Sequence, residues 1–258
     1  MSLPSDITLP ANAKYLGFVD YVNDFNSNYD ITWSFTYALT GVEHGIVTFL
    51  TNQPEVSGYP GHYMGYTGTI PLTSYLSSED GSLVLDEEGS RILIEESPTG
   101  VDFAGCLAIA FDSSGYFGLS STYRDGVTLS DIKKDVLAIR DGNNSLVLYE
   151  QLSNITPDFI FYDDTFNFQT LRFRYANSGR KISIDYRDET EIKFHTLTSI
   201  NLNLDTYSYG NLNVGFSYCS PISSSSDNIS TLKIKNFQVQ GVNSDPTYEI
   251  LVPDPITN

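Results

Sequence analysis

The chain has 258 residues and a formal charge of −18, from 32 acidic against 14 basic residues. That balance disfavours nucleic-acid phosphate and anionic membrane surfaces as partners, since both need counter-charge. A 40% hydrophobic content, with 18 Tyr and 15 Phe but only 2 Met, provides for a sizeable core made of many short strands rather than helices.

No run approaches the roughly 18 apolar residues of a membrane span, so membrane insertion is not expected. Met1 to Asp6 lacks the basic and apolar regions of a signal peptide, which predicts synthesis in the cytoplasm. Cys106 and Cys219 are the only cysteines and make neither a disulfide framework nor a zinc spacing.

In chain order, residues 1–14 contain prolines without a period and read as an N-terminal arm. Tyr15 to Val22 is a first strand. From Asp30 to Leu39 the alternation is strict: Ile31, Trp33, Phe35 and Tyr37 share one face, and Thr32, Ser34 and Thr36 the other. Gly45–Leu50 is the next strand, and Tyr59–Tyr66 a Gly- and Tyr-rich connection. Ser77 to Pro98 reads as a hairpin with arms Ser82–Asp86 and Arg91–Glu95. Gly105 to Phe111 is an apolar run that stops at Asp112 and turns through Ser113, Ser114 and Gly115, delivering one carboxylate to the rim of a sheet. Asp135–Arg140 and Ser145–Glu150 follow. Next come Phe168–Tyr175 and Lys181–Tyr186 about a turn at 177–179, a strand within 192–204, Asn211–Tyr218, and Ser230–Gln240. Residues 242–258 carry three prolines and read as a C-terminal tail. This pattern predicts an all-β, antiparallel two-sheet jelly-roll sandwich, one domain over residues 15–241. The strand ending at Asp112 puts Cys106 about 20 Å from the end where Cys219 lies, beyond disulfide reach.

The strand order resembles the L-type (legume-type) lectins, with their concanavalin A-like sandwich. Glu43-His-Gly-Ile-Val-Thr-Phe-Leu50 is similar to that family's A-D-G-x-x-F-F-L strand. Gly61-His-Tyr-Met-Gly-Tyr66 is similar to its G-G-Y-L-G-L loop, and Ala108-Ile-Ala-Phe-Asp-Ser113 to its A-V-E-F-D-T strand. Val214-Gly-Phe-Ser217 matches V-G-F-S, and Leu232 to Val239 echoes the closing strand. The resemblance implies a sugar site at one end of the sandwich, but its functional residues carry over incompletely. His44 stands where the family's sugar-binding Asp does, with Glu43 beside it. Ala110 replaces a metal-ligating Glu, Ser114-Gly-Tyr116 replaces the aromatic-x-Asn after Asp112, and the strand Val136–Ile139 has no His. A calcium ion takes about 6–8 oxygen ligands, so the legume-type Ca/Mn pair is expected to be absent and no cofactor is expected.

By this analogy the loops at one end gather Glu43, His44, His62, Tyr63, Asp112, Tyr116, Tyr218 and Asp227 as candidate ligand-binding residues. Carboxylates and amides grip paired sugar hydroxyls, and aromatic rings take the apolar face of a pyranose. Each has an ordinary alternative: the tyrosines pack loops, Phe117 plugs the core, and Asp112 caps its own turn. An enzyme is the competing class, because glucanases share the sandwich. Retaining glycosidases need carboxyls about 5–5.5 Å apart, and Asp185, Asp188, Glu189 and Glu191 lack the family's Glu-x-Asp-x-x-Glu spacing. No catalysis is expected. Sandwiches of this type also occur in phage and other viral surface proteins. The expectation is therefore a glycan-binding, adhesin-like module on a virion, homo-oligomeric and meeting neighbouring subunits through its termini. A structural decoration or scaffold role is the alternative.

Overall fold

The computed structural model describes residues 7–8, 16–21, 30–40, 45–51, 64, 73–75, 93–95, 107–119, 126–141, 145–162, 165, 167–176, 180–202, 213–219, 231–241 and 247–249. Two antiparallel sheets dominate. The first has six strands, in the order β1 (Ile7–Thr8), β14 (Thr231–Gly241), β3 (Ile31–Thr40), β10 (Gln169–Ala176), β11 (Lys181–Asp188) and β12 (His195–Asn201). The second has seven: β15 (Thr247–Glu249), β2 (Leu16–Tyr21), β13 (Asn213–Cys219), β4 (Gly45–Thr51), β7 (Leu107–Asp112), β8 (Val136–Arg140) and β9 (Leu146–Gln151). This is the predicted two-sheet sandwich.

Alternation along β3 sends Ile31, Trp33, Phe35 and Tyr37 into the core between the sheets, as period-2 geometry requires. Trp33 stacks on Phe173 with centroids 5.2 Å apart. Its indole N–H donates to Thr48 Oγ1 across the sandwich at 2.9 Å, and the Thr48 hydroxyl donates to the Gly215 carbonyl at 2.9 Å. The buried Thr48 hydroxyl is thereby satisfied from both sides.

All six residues of β7 are buried, and two separate clusters explain why. Leu107, Ile109 and Phe111 face the inter-sheet core. Ala108 and Ala110 lie in a second cluster with Val47, Phe49, Met64, Phe117, Val136 and Ala138, on the far side of the same sheet. Small side chains there leave room for the segment after Asp112 to fold down onto the strand. Phe117 fills that space and is fully buried.

In β14 the register shifts between Lys235 and Gln238, and Asn236 adopts φ 55°. This bulge absorbs one residue, so Leu232 and Ile234 before it and Phe237 and Val239 after it all reach the core.

The structure departs from the sequence reading in several places. Leu93–Glu95 (β6) pairs with Thr73–Tyr75 (β5), a pairing the sequence reading did not give; the hairpin arm expected at Ser82–Asp86 lies outside the described residues. A single helical turn, α1 (Leu152–Ile155), follows β9. Leu152 drops into the core, and its N–H donates to the Asp135 carbonyl at 2.7 Å. Within the terminal segments, β1 and β15 each add a short strand to a sheet edge. Cys219 lies level with Gly45, and Gly45 with Asp112, while Leu107, next to Cys106, begins β7. Cys219 and the start of β7 therefore lie at opposite ends of the seven-stranded sheet; Cys106 itself lies outside the described residues.

Candidate functional site at one end of the seven-stranded sheet

Strand register brings several chain segments to one rim. Asp112 ends β7 opposite Gly45, which begins β4. Asp112 also faces Val136 at the start of β8, and Cys219 ends β13 opposite Gly45. The start of β4 and the ends of β7 and β13 therefore share one rim, and residues 113–118 continue from it. Met64 joins them: its carbonyl accepts a bond from the Ser217 hydroxyl at 2.8 Å. A Cβ on Gly45 would collide with the Met64 methyl and the Phe111 carbonyl, so only glycine permits this close approach.

At the centre of the rim Asp112 holds its own loop. The backbone N–H and hydroxyl of Ser114 both donate to Asp112 Oδ1, at 2.8 and 2.7 Å, and the Phe117 N–H donates to Oδ2 at 2.8 Å. With the residue 1% exposed, both carboxylate oxygens are committed to the turn, the local bonding to which Asp at a strand end is suited. Gly115 sits at φ 80°, and a side chain there would strike the Lys133 carbonyl. From below, Arg140 Nε donates to the Phe117 carbonyl at 3.0 Å. From the side, the Tyr149 hydroxyl accepts from the Lys133 N–H at 2.9 Å and lies 3.1 Å from the Gly115 carbonyl, to which it donates. Burial raises the pKa of that hydroxyl, keeping it protonated and able to donate. The loop is a rigid platform, with half-buried Tyr116 and Ser114 on its outer side.

The predicted site residues divide accordingly. Tyr116 is on the platform. Asp112 is beneath it as its cap, not as an open ligand group. Tyr218 is a correction: it shares the parity of Val214 and Phe216 on β13, is 1% exposed, and packs in the inter-sheet core, where no ligand reaches it. Glu43, His44, His62, Tyr63 and Asp227 lie outside the described residues. Sequence reasoning missed Tyr149 and Arg140, which hold the platform. Their signal was faint, a tyrosine on an edge strand and an arginine closing an apolar run.

The described residues do not fit a calcium–transition-metal pair. Asp112 has spent its oxygens on N–H and O–H donors, Ala110 offers no ligand, and no group of three or more His, Cys, Asp or Glu is placed to hold a metal among the described residues.

The carboxylates considered for catalysis are also placed. Asp185 lies within β11 at a register shift, 1% exposed. It accepts from Arg172 Nε at 3.0 Å, from Arg174 Nε and Nη2 at 2.7 and 3.1 Å, and from Thr196 Oγ1 at 3.0 Å. Burial alone would raise its pKa, but the bonds from Arg174, Arg172 and Thr196 outweigh burial and lower it. Such a group stays ionised and cannot act as a general acid. A carboxylate with a depressed folded-state pKa stabilises the fold above its unfolded value of about 3.9, and that stabilisation fades as pH falls through the lower folded value. Asp185→Asn is expected to cost about 2 kcal/mol at pH 7. That is less than a fully buried pair would cost, because both guanidiniums are partly solvated. Urea unfolding from pH 7 down to pH 2 should show the difference shrinking only below about pH 4.

Sheet order, register and the shared rim define an L-type lectin-like, concanavalin A-like sandwich. Among solved structures the chain is similar to the Lotus tetragonolobus seed lectin, at 12% identity and a TM-score of 0.54 over 93% of this chain and 89% of that one. It is similar to lectin I from Ulex europaeus, solved with the methyl glycoside of α-L-fucose, at 11% identity and a TM-score of 0.51 over 92% and 98%. Basic winged bean lectin, solved with Tn-antigen, is comparable at 11% and 0.51 over 92% and 99%. No family model and no curated protein matches the sequence.

Proposed function

We propose that the chain is a non-catalytic, adhesin-like glycan-binding module displayed on a virion or similar particle. The observation that carries this reading is the rim itself: β4 and β8 begin and β7 and β13 end there, beside one pre-formed turn with Tyr116 on its outer side. Rigid platforms of this kind lower the ordering cost of binding. The two lectins of this fold noted above with sugar ligands support the ligand class. Binding does not depend on a cation pair, because Asp112 is already used. Single contacts are weak, so display in several copies, as a homo-oligomer or on a particle with neighbours at residues 1–14 and 242–258, raises avidity.

The test is a glycan array probed with a multivalent form of the protein, with and without EDTA. A defined set of glycans should bind equally in both conditions, and Tyr116→Ala or His44→Ala should lower binding at least about tenfold, the scale of one lost sugar contact. An empty array with folded protein, or binding abolished by EDTA, would overturn the proposal. The scaffold reading draws on β1 and β15, which among the described residues form the outermost strands of the two sheets, where further pairing can occur. It predicts an empty array together with self-assembly that requires those segments.

A further inference from the structure

We propose a second binding site, for a carboxylate-bearing oligosaccharide, on the outer face of the six-stranded sheet. It goes beyond the rim reading and does not depend on it, since it lies on the opposite side of the sandwich from the loop platform.

Alternation along β3 turns Thr32, Ser34 and Thr36 outward. Register sets Gln238, Ser34 and Arg172 side by side across β14, β3 and β10, with Gln240 beside Thr32 in the row next to it. Arg187 on β11 is level with Thr170 on β10, and Phe194, just before β12, joins the lining. Together these residues border a groove of about 490 Å³, within the roughly 300–1,000 Å³ of small-molecule sites. β3 and β10 are paired along both edges, so their backbones are spent and a ligand meets side chains alone. Recognition by strand addition, the usual route for an extended peptide, is closed. Hydroxyls and amides fill the floor, and the ring of Phe194 is covered by the guanidinium carbons of Arg172 and Arg187, at 3.7 and 4.7 Å. That surface offers no apolar anchor for a peptide and many donors and acceptors for a sugar.

Charge chooses the kind of sugar. The chain carries 32 acids to 14 bases, yet the charged residues lining this groove are both arginines. Arg172 is matched by Asp185 at 2.9 Å. Arg187 is not matched: among the described residues its side chain makes no hydrogen bond or ion pair, and its Nε is buried without a partner. An arginine held over a ring with unused donors has the planar fork that grips a carboxylate through two bonds. In so acidic a protein, the missing acid is supplied by the ligand.

Trigalacturonate titrated calorimetrically against the full chain tests this, with the fully methyl-esterified trimer as the neutral control. The acid is expected to bind and the ester to bind at least tenfold more weakly, with affinity for the acid falling as salt rises. Arg187→Gln should weaken binding by about 10- to 100-fold, as loss of a charged hydrogen-bonding partner does. Arg187→Lys should restore little of it, because an ammonium is not a fork. Gln240→Ala gives a second, uncharged probe of the groove and should also weaken binding. Arg187→Gln should leave the binding of neutral glycans on the array unchanged, and Tyr116→Ala should leave trigalacturonate binding unchanged, which separates this site from the rim. Absence of binding, equal binding of acid and ester, or undiminished binding by Arg187→Gln would overturn the proposal. So would sedimentation showing a dimer that dissociates in Arg187→Gln, since a second copy would then occupy the groove.

Discussion

Trp33→Ala is expected to destabilise the protein by about 4–5 kcal/mol, through loss of a buried aromatic side chain and of its hydrogen bond. Trp33 is fully buried, stacks on Phe173, and makes the polar link between the two sheets through Thr48. Removing the ring leaves a cavity where β3, β4 and β10 face each other, and it takes away a donor from a core hydroxyl. Trp33→Phe keeps most of the packing and removes the N–H, so its cost should be about 1–2 kcal/mol, the scale of one buried hydrogen bond with some repacking. Thr48 still donates to the Gly215 carbonyl, which limits the damage. Urea denaturation of the three proteins would check both values. For a domain of this size the alanine variant should melt roughly 10–20 °C lower.

Asp112→Ala should cost about 2–4 kcal/mol, because it strands the buried Phe117 N–H and the Ser114 donors. The residue most readily taken for a sugar ligand is on this account a structural cap, and the two roles give opposite results. A ligand group at an open rim would leave stability unchanged when removed. A cap loosens the whole turn from Ser113 to Gly118, so Phe117 leaves its cluster and amide exchange speeds up along that segment. Asp112→Asn keeps one acceptor but turns an amide N–H₂ toward a donor, and should fall between wild type and alanine. Thermal melts with hydrogen exchange at Phe117 would separate the cases; an unchanged melt for Asp112→Ala would rule out the cap.

Much of the sandwich is legible in the sequence because one buried face leaves a period of two. In β3 and β10 the alternation names the core residues directly. β14 is legible to its bulge, since the apolar phase slips by one between Ile234 and Phe237. β7 is harder: a strand covered on both faces shows a continuous run, and only the choice of alanine at 108 and 110 hints that a loop lies on one side. Tyr218 was assigned to the rim by its nearness to a loop, although Val214, Phe216 and Tyr218 share a parity that places all three inside. The pairing of β6 with β5 joins segments far apart along the chain, and the pattern of a single strand does not name so distant a partner. The clamp by Tyr149 and Arg140, and the unmatched charge of Arg187, depend on which strands lie side by side, which a single strand's pattern does not carry.

Soaking or co-crystallising the protein with the strongest glycan from the array locates the ligand directly. Density against Tyr116 and the platform formed by residues 113–118, with no cation bridging sugar and Asp112, is the predicted result. Sugar bound only on the outer face of the six-stranded sheet, or a metal coordinated by the Asp112 carboxylate beneath the sugar, would contradict it.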